Sequence, residues 1–233
     1  VKSNFEGSKR SRRSFLLAAG TLCVAAAQWA YAGGKKIIVL VKNKIPVHKT
    51  VTVTPPGSKS IDHFSHACIA CHLCVSACPS QVIQGAANRY SGTGLFLPYL
   101  DNEKGYCTYE CNRCGEVCPS GAILPLPLKE KQRVQIGKVH FIRENCIVIT
   151  QGTVCAACSE HCPTKAVDII PGSKPPVPVI NQNICVGCGA CEYACPAKPH
   201  KSIYVDGNPV HLKADKPKKT KLKAPKPDED FPF

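Results

Sequence analysis

CVGCGACEYACP, residues Cys185 to Pro196, spaces its thiols as Cys-x2-Cys-x2-Cys-x3-Cys and closes on proline. At that spacing one tight loop caps three irons of a 4Fe-4S cubane and sends its fourth thiolate elsewhere. CIACHLCVSACP repeats the gaps at Cys68, Cys71, Cys74 and Cys78. CTYECNRCGEVCP, with Cys107, Cys111, Cys114 and Cys118, widens the first gap by one residue. Cys146, Cys155, Cys158 and Cys162 form a further quartet with eight residues between its first two cysteines. Four quartets, each ending in Cys-Pro, predict four 4Fe-4S clusters with these sixteen cysteines as the iron ligands.

In two-cluster ferredoxins the cysteine before proline serves the other cluster, so quartets work in interlocked pairs. Proline fixes one dihedral angle and removes an amide donor just past that ligand, turning the chain into the next element. Short segments with apolar residues follow each Cys-Pro: SQVIQ, SGAIL, TKAVDII and, more loosely, AKPHKSIYV. They read as one unit used four times. Zinc held by paired Cys-x2-Cys elements and a disulfide framework are the rival readings of so many cysteines. Neither accounts for four triplets each followed by Cys-Pro. Cys68, Cys71 and His72 also spell the haem-attachment pattern C-x-x-C-H, but Cys74 and Cys78-Pro79 carry the cubane pattern through it. His72 is then a polar loop residue or a hydrogen-bonding neighbour of a cluster.

Near the N-terminus, Lys9, Arg10, Arg12 and Arg13 precede an apolar stretch from Phe15 to Ala32, with a twin arginine in S-R-R-x-F-L context. Ala30-Tyr31-Ala32 supplies a small-x-small cleavage site. Residues 1–32 therefore read as a twin-arginine export signal or, uncleaved, as a membrane anchor, since about 18 weakly apolar residues just span a bilayer. Cys23, in this stretch, reads as filler. Export by this route places the chain in the periplasm or on the outer face of the cytoplasmic membrane, and suits a protein that acquires cofactors before crossing. Two runs rich in Val, Ile and Thr between Lys35 and Thr54 predict a β-hairpin, with residues 33–57 as its segment. His63 and His66, on the approach to Cys68, read as surface residues.

The formal net charge of +14 falls to about +6 once four clusters of about −2 each are counted. Lysine and proline dominate residues 211–233, which read as a solvated, irregular tail, with docking to anionic lipid or an acidic partner as the functional alternative. Dinucleotide, nucleophile-elbow and H-E-x-x-H motifs are all missing, which leaves electron transfer rather than catalysis, and nucleic acid is excluded as a partner for want of a binding motif.

Pro55-Pro56-Gly57, then Phe64 and CIACHLCV, the twin arginine, Cys118-Pro119-Ser120-Gly121-Ala122, IGKVHFIRENC and the long first gap of the third quartet together resemble the NapG/MauM type of periplasmic ferredoxin over residues 10–205. His72 stands where a glycine is usual, and the second quartet departs in its inner gap. The resemblance implies an electron-transfer protein beside a polytopic membrane quinol dehydrogenase, relaying electrons toward a periplasmic redox partner. It also implies that the first quartet pairs with the fourth and the second with the third. Cys68, Cys71 and Cys74 would then share a cluster with Cys195, and Cys185, Cys188 and Cys191 with Cys78. Cys107, Cys111 and Cys114 would take Cys162, while Cys146, Cys155 and Cys158 would take Cys118. On that pairing one dicluster half spans residues 58–106 plus 176–210 and the other 107–175. The expected fold is α+β: two fused ferredoxin-like halves with short helices and small two-stranded sheets. Two alternatives stand beside it: an electron-transfer subunit of a respiratory complex with a separate catalytic chain, such as a molybdopterin reductase or hydrogenase, and a zinc or disulfide structural module.

Overall fold

Proline, glycine and the cysteine loops interrupt this chain so often that described helices stop at seven residues, and all but two strands stop at three. The structure, a computed structural model, describes residues 44–87, 89–90, 94–170 and 175–217. The export signal, Cys23, the first run of the expected hairpin and residues 218–233 of the tail lie outside them.

Helix α1 (Ile61–Ala67) is capped by Ser60, whose hydroxyl accepts from the His63 amide at 3.1 Å. Its buried Phe64 anchors the helix that delivers Cys68. Four short helices each carry the third cysteine of a quartet: α2 (Leu73–Ala77), α3 (Arg113–Glu116), α6 (Ala157–Glu160) and α7 (Ala190–Ala194). Between them stand α4 (Leu128–Lys131) and α5 (Ile147–Thr150).

Three antiparallel two-stranded sheets accompany these helices. β1 (Ile83–Gly85) pairs with β2 (Pro98–Leu100) after the first quartet, and β4 (Val167–Ile169) with β5 (Pro178–Ile180) after the third. β3 (Val134–Phe141) pairs with β6 (Ile203–Lys213) from Val134↔Lys213 to Phe141↔Ile203, with a register shift between Gln135 and Gly137. From these strands Ile136, Val139, Ile203 and Val205 are buried with Val82, Ile83, Leu100, Ile123 and Val167. Removing each such side chain from water contributes about 1.5–3 kcal/mol.

Two boundaries differ from expectation. His211 to Lys213, assigned to the tail, complete β6. The His211 ring bonds Thr54 Oγ1 at 2.8 Å, and burial pushes its pKa down to about 4, so the ring is neutral at pH 7. The second arm of the expected hairpin forms no strand. Its backbone is claimed by other partners: Thr50 and Val51 amides donate to Asp206 Oδ1 at 3.0 and 2.8 Å, Gly207 N–H to Val51 O and Leu100 N–H to Val53 O.

Candidate iron-sulfur centres

The two unbroken Cys-x2-Cys-x2-Cys loops need left-handed backbone on both sides of their second cysteine. In the fourth quartet glycine supplies it, with Gly187 at φ +71° and Gly189 at +82°. In the first, Ala70 and His72 adopt it at +52° and +61°. The His72 ring bonds Phe96 O at 2.8 Å, so it fastens the loop to the segment before β2. His63 and His66 are engaged likewise, their Nδ1 atoms on the carbonyls of Ser58 and Asp62.

The loops and the cysteines before proline meet in four sets. Cys68, Cys71 and Cys74 line one cavity with Cys118, walled by Phe64, Pro98 and Ile123. Cys107, Cys111 and Cys114 line another with Cys78. Cys146, Cys155 and Cys158 line a third with Cys195. Cys185 and Cys191 each feel the charge of Cys162, as does Cys188, which defines the last set. The expected pairing is therefore corrected: Cys118 and Cys78 cross between the first and second quartets, and Cys195 and Cys162 between the third and fourth. The physical reason is helix packing, since α2 rests on α3 and α6 on α7.

Four thiolates turned on one cavity repel one another. Burial pushes Cys74 up to about 12, with the charges of Cys68, Cys118 and Cys71 adding to it. Burial likewise raises Cys114 to about 12, with Cys107 and Cys111 among the neighbours, and Cys158 to about 12, with Cys155, Cys195 and Cys146 among them. Such a set is unfavourable empty of positive charge and favourable around it, because a coordinating thiol is deprotonated outright. Cys118 goes the other way: partial burial raises it, but the Ile123 amide, the Ser120 hydroxyl and the amides of Ser120 and Gly121 lower it further. Among the described residues no three Cys, His, Asp or Glu side chains converge as they would on a single ion. Four sulfurs set around a cavity fit a cubane, in which each thiolate holds a different iron.

Every Cys-Pro sulfur also faces a hydroxyl, a feature the sequence reading missed. Cys78 lies 3.5 Å from Ser80 Oγ, Cys118 3.7 Å from Ser120 Oγ, Cys162 3.7 Å from Thr164 Oγ1 and Cys195 3.2 Å from Ser202 Oγ. Backbone amides add to this, Ile123 N–H on Cys118 Sγ at 3.4 Å and Ala166 N–H on Cys162 Sγ at 3.2 Å. The signal was present as Cys-Pro-Ser or Cys-Pro-Thr in three quartets; the fourth reads Cys195-Pro196-Ala197 and hides it.

The sets stand in a row. Cys74 is among the charges acting on Cys114, Cys107 among those on Cys188, and Cys158 among those on Cys191. The first-quartet set thus neighbours the second, the second the fourth, and the fourth the third. At the middle junction the Cys107 amide donates to Cys188 O at 2.8 Å, and the Tyr106 and Tyr193 rings lie 5.7 Å apart. Glu192, fully buried on α7, braces the junction: it pairs with Lys49 at 2.5 Å and accepts from Asn102 Nδ2 and the Val205 amide.

A family described as the 4Fe-4S dicluster domain matches residues 67–122 and again 153–198. Each match encloses one of the quartet pairs seen in the fold, save Cys146. Fold and match together define an iron-sulfur protein of the ferredoxin type. The methylamine utilization ferredoxin-type protein MauM of Paracoccus denitrificans is 29% identical over 174 residues, 71% of this chain and 76% of that one. MauM of Methylorubrum extorquens is 29% identical over 149 residues, 60% of this chain and 66% of that protein, just under two thirds of its length. The ferredoxin-type protein NapG of Escherichia coli is 30% identical over 156 residues, 62% of this chain and 66% of that protein. The chain belongs to the NapG/MauM-type ferredoxins. Among solved structures, a formate dehydrogenase, heterodisulfide reductase and formylmethanofuran dehydrogenase complex from Methanospirillum hungatei gives a TM-score of only 0.25 at 21% identity, over 67% of this chain and 52% of that one, and carries no argument.

Proposed function

We propose that this chain is an exported electron relay, holding four 4Fe-4S clusters on its sixteen quartet cysteines and passing single electrons between a membrane quinol dehydrogenase and a periplasmic redox partner. The observation that carries this reading is the succession of four sulfur sets, in which each neighbours the next. Bound cubanes supply reversible one-electron chemistry, with potentials set by charge, burial and hydrogen bonds to sulfur. The chain's own residues do the rest. Ser80, Ser120, Thr164 and Ser202 donate to the anionic sulfurs, the apolar walls exclude water, and the backbone bond from Cys107 to Cys188 holds the two dicluster halves at a fixed separation. Partner and compartment rest on the family and on the twin arginine. Among the described residues no helix is long and apolar enough to cross a membrane.

Anaerobic co-purification of the tagged chain from detergent-solubilised membranes, with iron and sulfide analysis, tests this. A polytopic membrane protein at fixed stoichiometry and clusters that quinol reduces are the expected outcome. Zinc without sulfide would sink the relay, and a large cofactor-bearing catalytic chain in place of the membrane protein would move it into a dedicated reductase complex.

A further inference from the structure

Among the described residues two charged side chains are buried, Lys131 at 5% exposure and Glu192 at 1%. Glu192 has its counter-charge in Lys49. Lys131 has none: no carboxylate among the described residues lies within ion-pair distance of it. A buried ammonium without an anion costs more than neutral hydrogen bonds return. Its ammonium nitrogen is held by the carbonyls of Thr108 and, at 3.3 Å, Tyr109. Those two residues lie in the widened first gap of the second quartet, Cys107-Thr108-Tyr109-Glu110-Cys111. The extra residue there thus belongs to a loop that turns two carbonyls toward a cation. Helix α4 delivers that cation: the Lys131 amide closes on Pro127 O at 3.0 Å, and Lys131 turns inward while Lys129 stays exposed. Two cysteines of the second quartet feel its charge. Burial raises the Cys107 thiol, and the charge and hydrogen bond of Lys131 are the largest opposing influences. Cys114 feels the same charge.

We propose that Lys131 is the built-in counter-charge of the second-quartet centre, formed by Cys107, Cys111, Cys114 and Cys78, and that it sets the reduction potential of that centre above those of its neighbours. The inference rests on the iron-sulfur reading above. Adding one electron makes the centre one unit more negative with no proton taken up, and a fixed cation held on the carbonyls of the loop between Cys107 and Cys111 favours that state. The other three sets have no unpaired buried cation among the described residues. Because this set stands between the first-quartet and fourth-quartet sets, a raised potential there makes a holding point inside the row, where an electron waits until the next acceptor is ready. Lys131 acts through the ligands, as a positioning and tuning residue.

The test is an anaerobic redox titration of the full chain followed by electron paramagnetic resonance, on wild type, Lys131→Gln and Lys131→Arg, with iron counted in each. In the glutamine variant one centre becomes at least tenfold harder to reduce, about 59 mV lower for one electron. Its signal is the one that Cys111→Ser removes, and arginine, which keeps the charge, leaves its potential near wild type. A glutamine variant with full iron and unmoved midpoints overturns the proposal. If glutamine costs the protein this one centre, retention in the arginine variant supports the counter-charge, and loss in both overturns it in favour of packing. Failure of the underlying reading looks different: wild type itself would show no cubane signal.

Discussion

A hydroxyl opposite each Cys-Pro sulfur is the finest regularity in this protein, and the fourth case shows that it belongs to the site rather than to the sequence repeat. In three quartets the residue two past the cysteine provides it. In the fourth that position is the buried Ala197, and Ser202, the residue just before β6, stands 3.2 Å from Cys195. Hydrogen bonds to a charged acceptor contribute about 1.5–3 kcal/mol, and a reduced centre draws on them more strongly than an oxidised one. Ser202→Ala is therefore expected to lower the midpoint of the Cys146, Cys155, Cys158 and Cys195 centre by roughly 20–60 mV, about 0.5–1.4 kcal/mol for one electron. Adding Ala197→Ser in the same protein restores part of the loss. Four midpoints equal to wild type in Ser202→Ala would remove the hydroxyl from the electronic account. The quartets were legible as loops, because their spacing is local; Ser202 was not, because only the fold brings it to Cys195. His72 was half legible. Its departure from glycine stood out, and the left-handed backbone, which costs a residue with a Cβ about 1–2 kcal/mol, explains why glycine is usual there.

At the scale of elements, the quartets and their short helices could be read from the chain, but which cysteine crosses to which loop could not. Every Cys-Pro has the same local grammar, so spacing is silent on its partner. Packing decides: α2 lies on α3 and α6 on α7, which carries Cys118 to the first loop and Cys195 to the third. The β3 and β6 pair escaped for a related reason. Antiparallel pairing across the whole third and fourth quartets is a long-range choice with no turn between the strands to announce it. The pairing of ligands has a stoichiometric test. Cys118→Ser should cost the protein one cluster. Adding Cys71→Ser, in the same set, should cost no further iron, whereas adding Cys155→Ser should cost a second cluster. Iron and sulfide per chain in the three proteins measures this, and the reverse pattern would restore the pairing of Cys118 with the third quartet.

Over the whole molecule, the ligands and the core are the same material. Cys74, Cys78, Cys114, Cys162, Cys185, Cys191 and Cys195 are buried within one apolar cluster that also holds Phe64, Ile123, Val139, Val167 and Val205. Removing iron therefore leaves holes at the centre of the fold, lined by thiols. A chain of this size is held together by a net of only about 5–15 kcal/mol, and a structural metal centre contributes on that same scale. The thiols also give the iron-free protein a pH dependence of definite sign. Burial lifts Cys74, Cys114, Cys158 and Cys188 from 9.0 to about 12, so a folded apo chain keeps protons that an unfolded one releases, and its stability falls as pH rises from 9 toward 12. The loaded protein has thiolates instead, and loses stability toward acid as they are protonated. We expect anaerobic chelation at pH 7 to leave a weakened, less cooperative unfolding transition, and hydrogen exchange to find amide protection sharply reduced even in the β3 and β6 pair, whose Val139↔Val205 register lies in the core. Protection of that pair surviving in iron-free protein would mean that the long sheet folds on its own and the cysteine loops are hung upon it. Its loss together with the loops would mean that the metal centres nucleate the sheet.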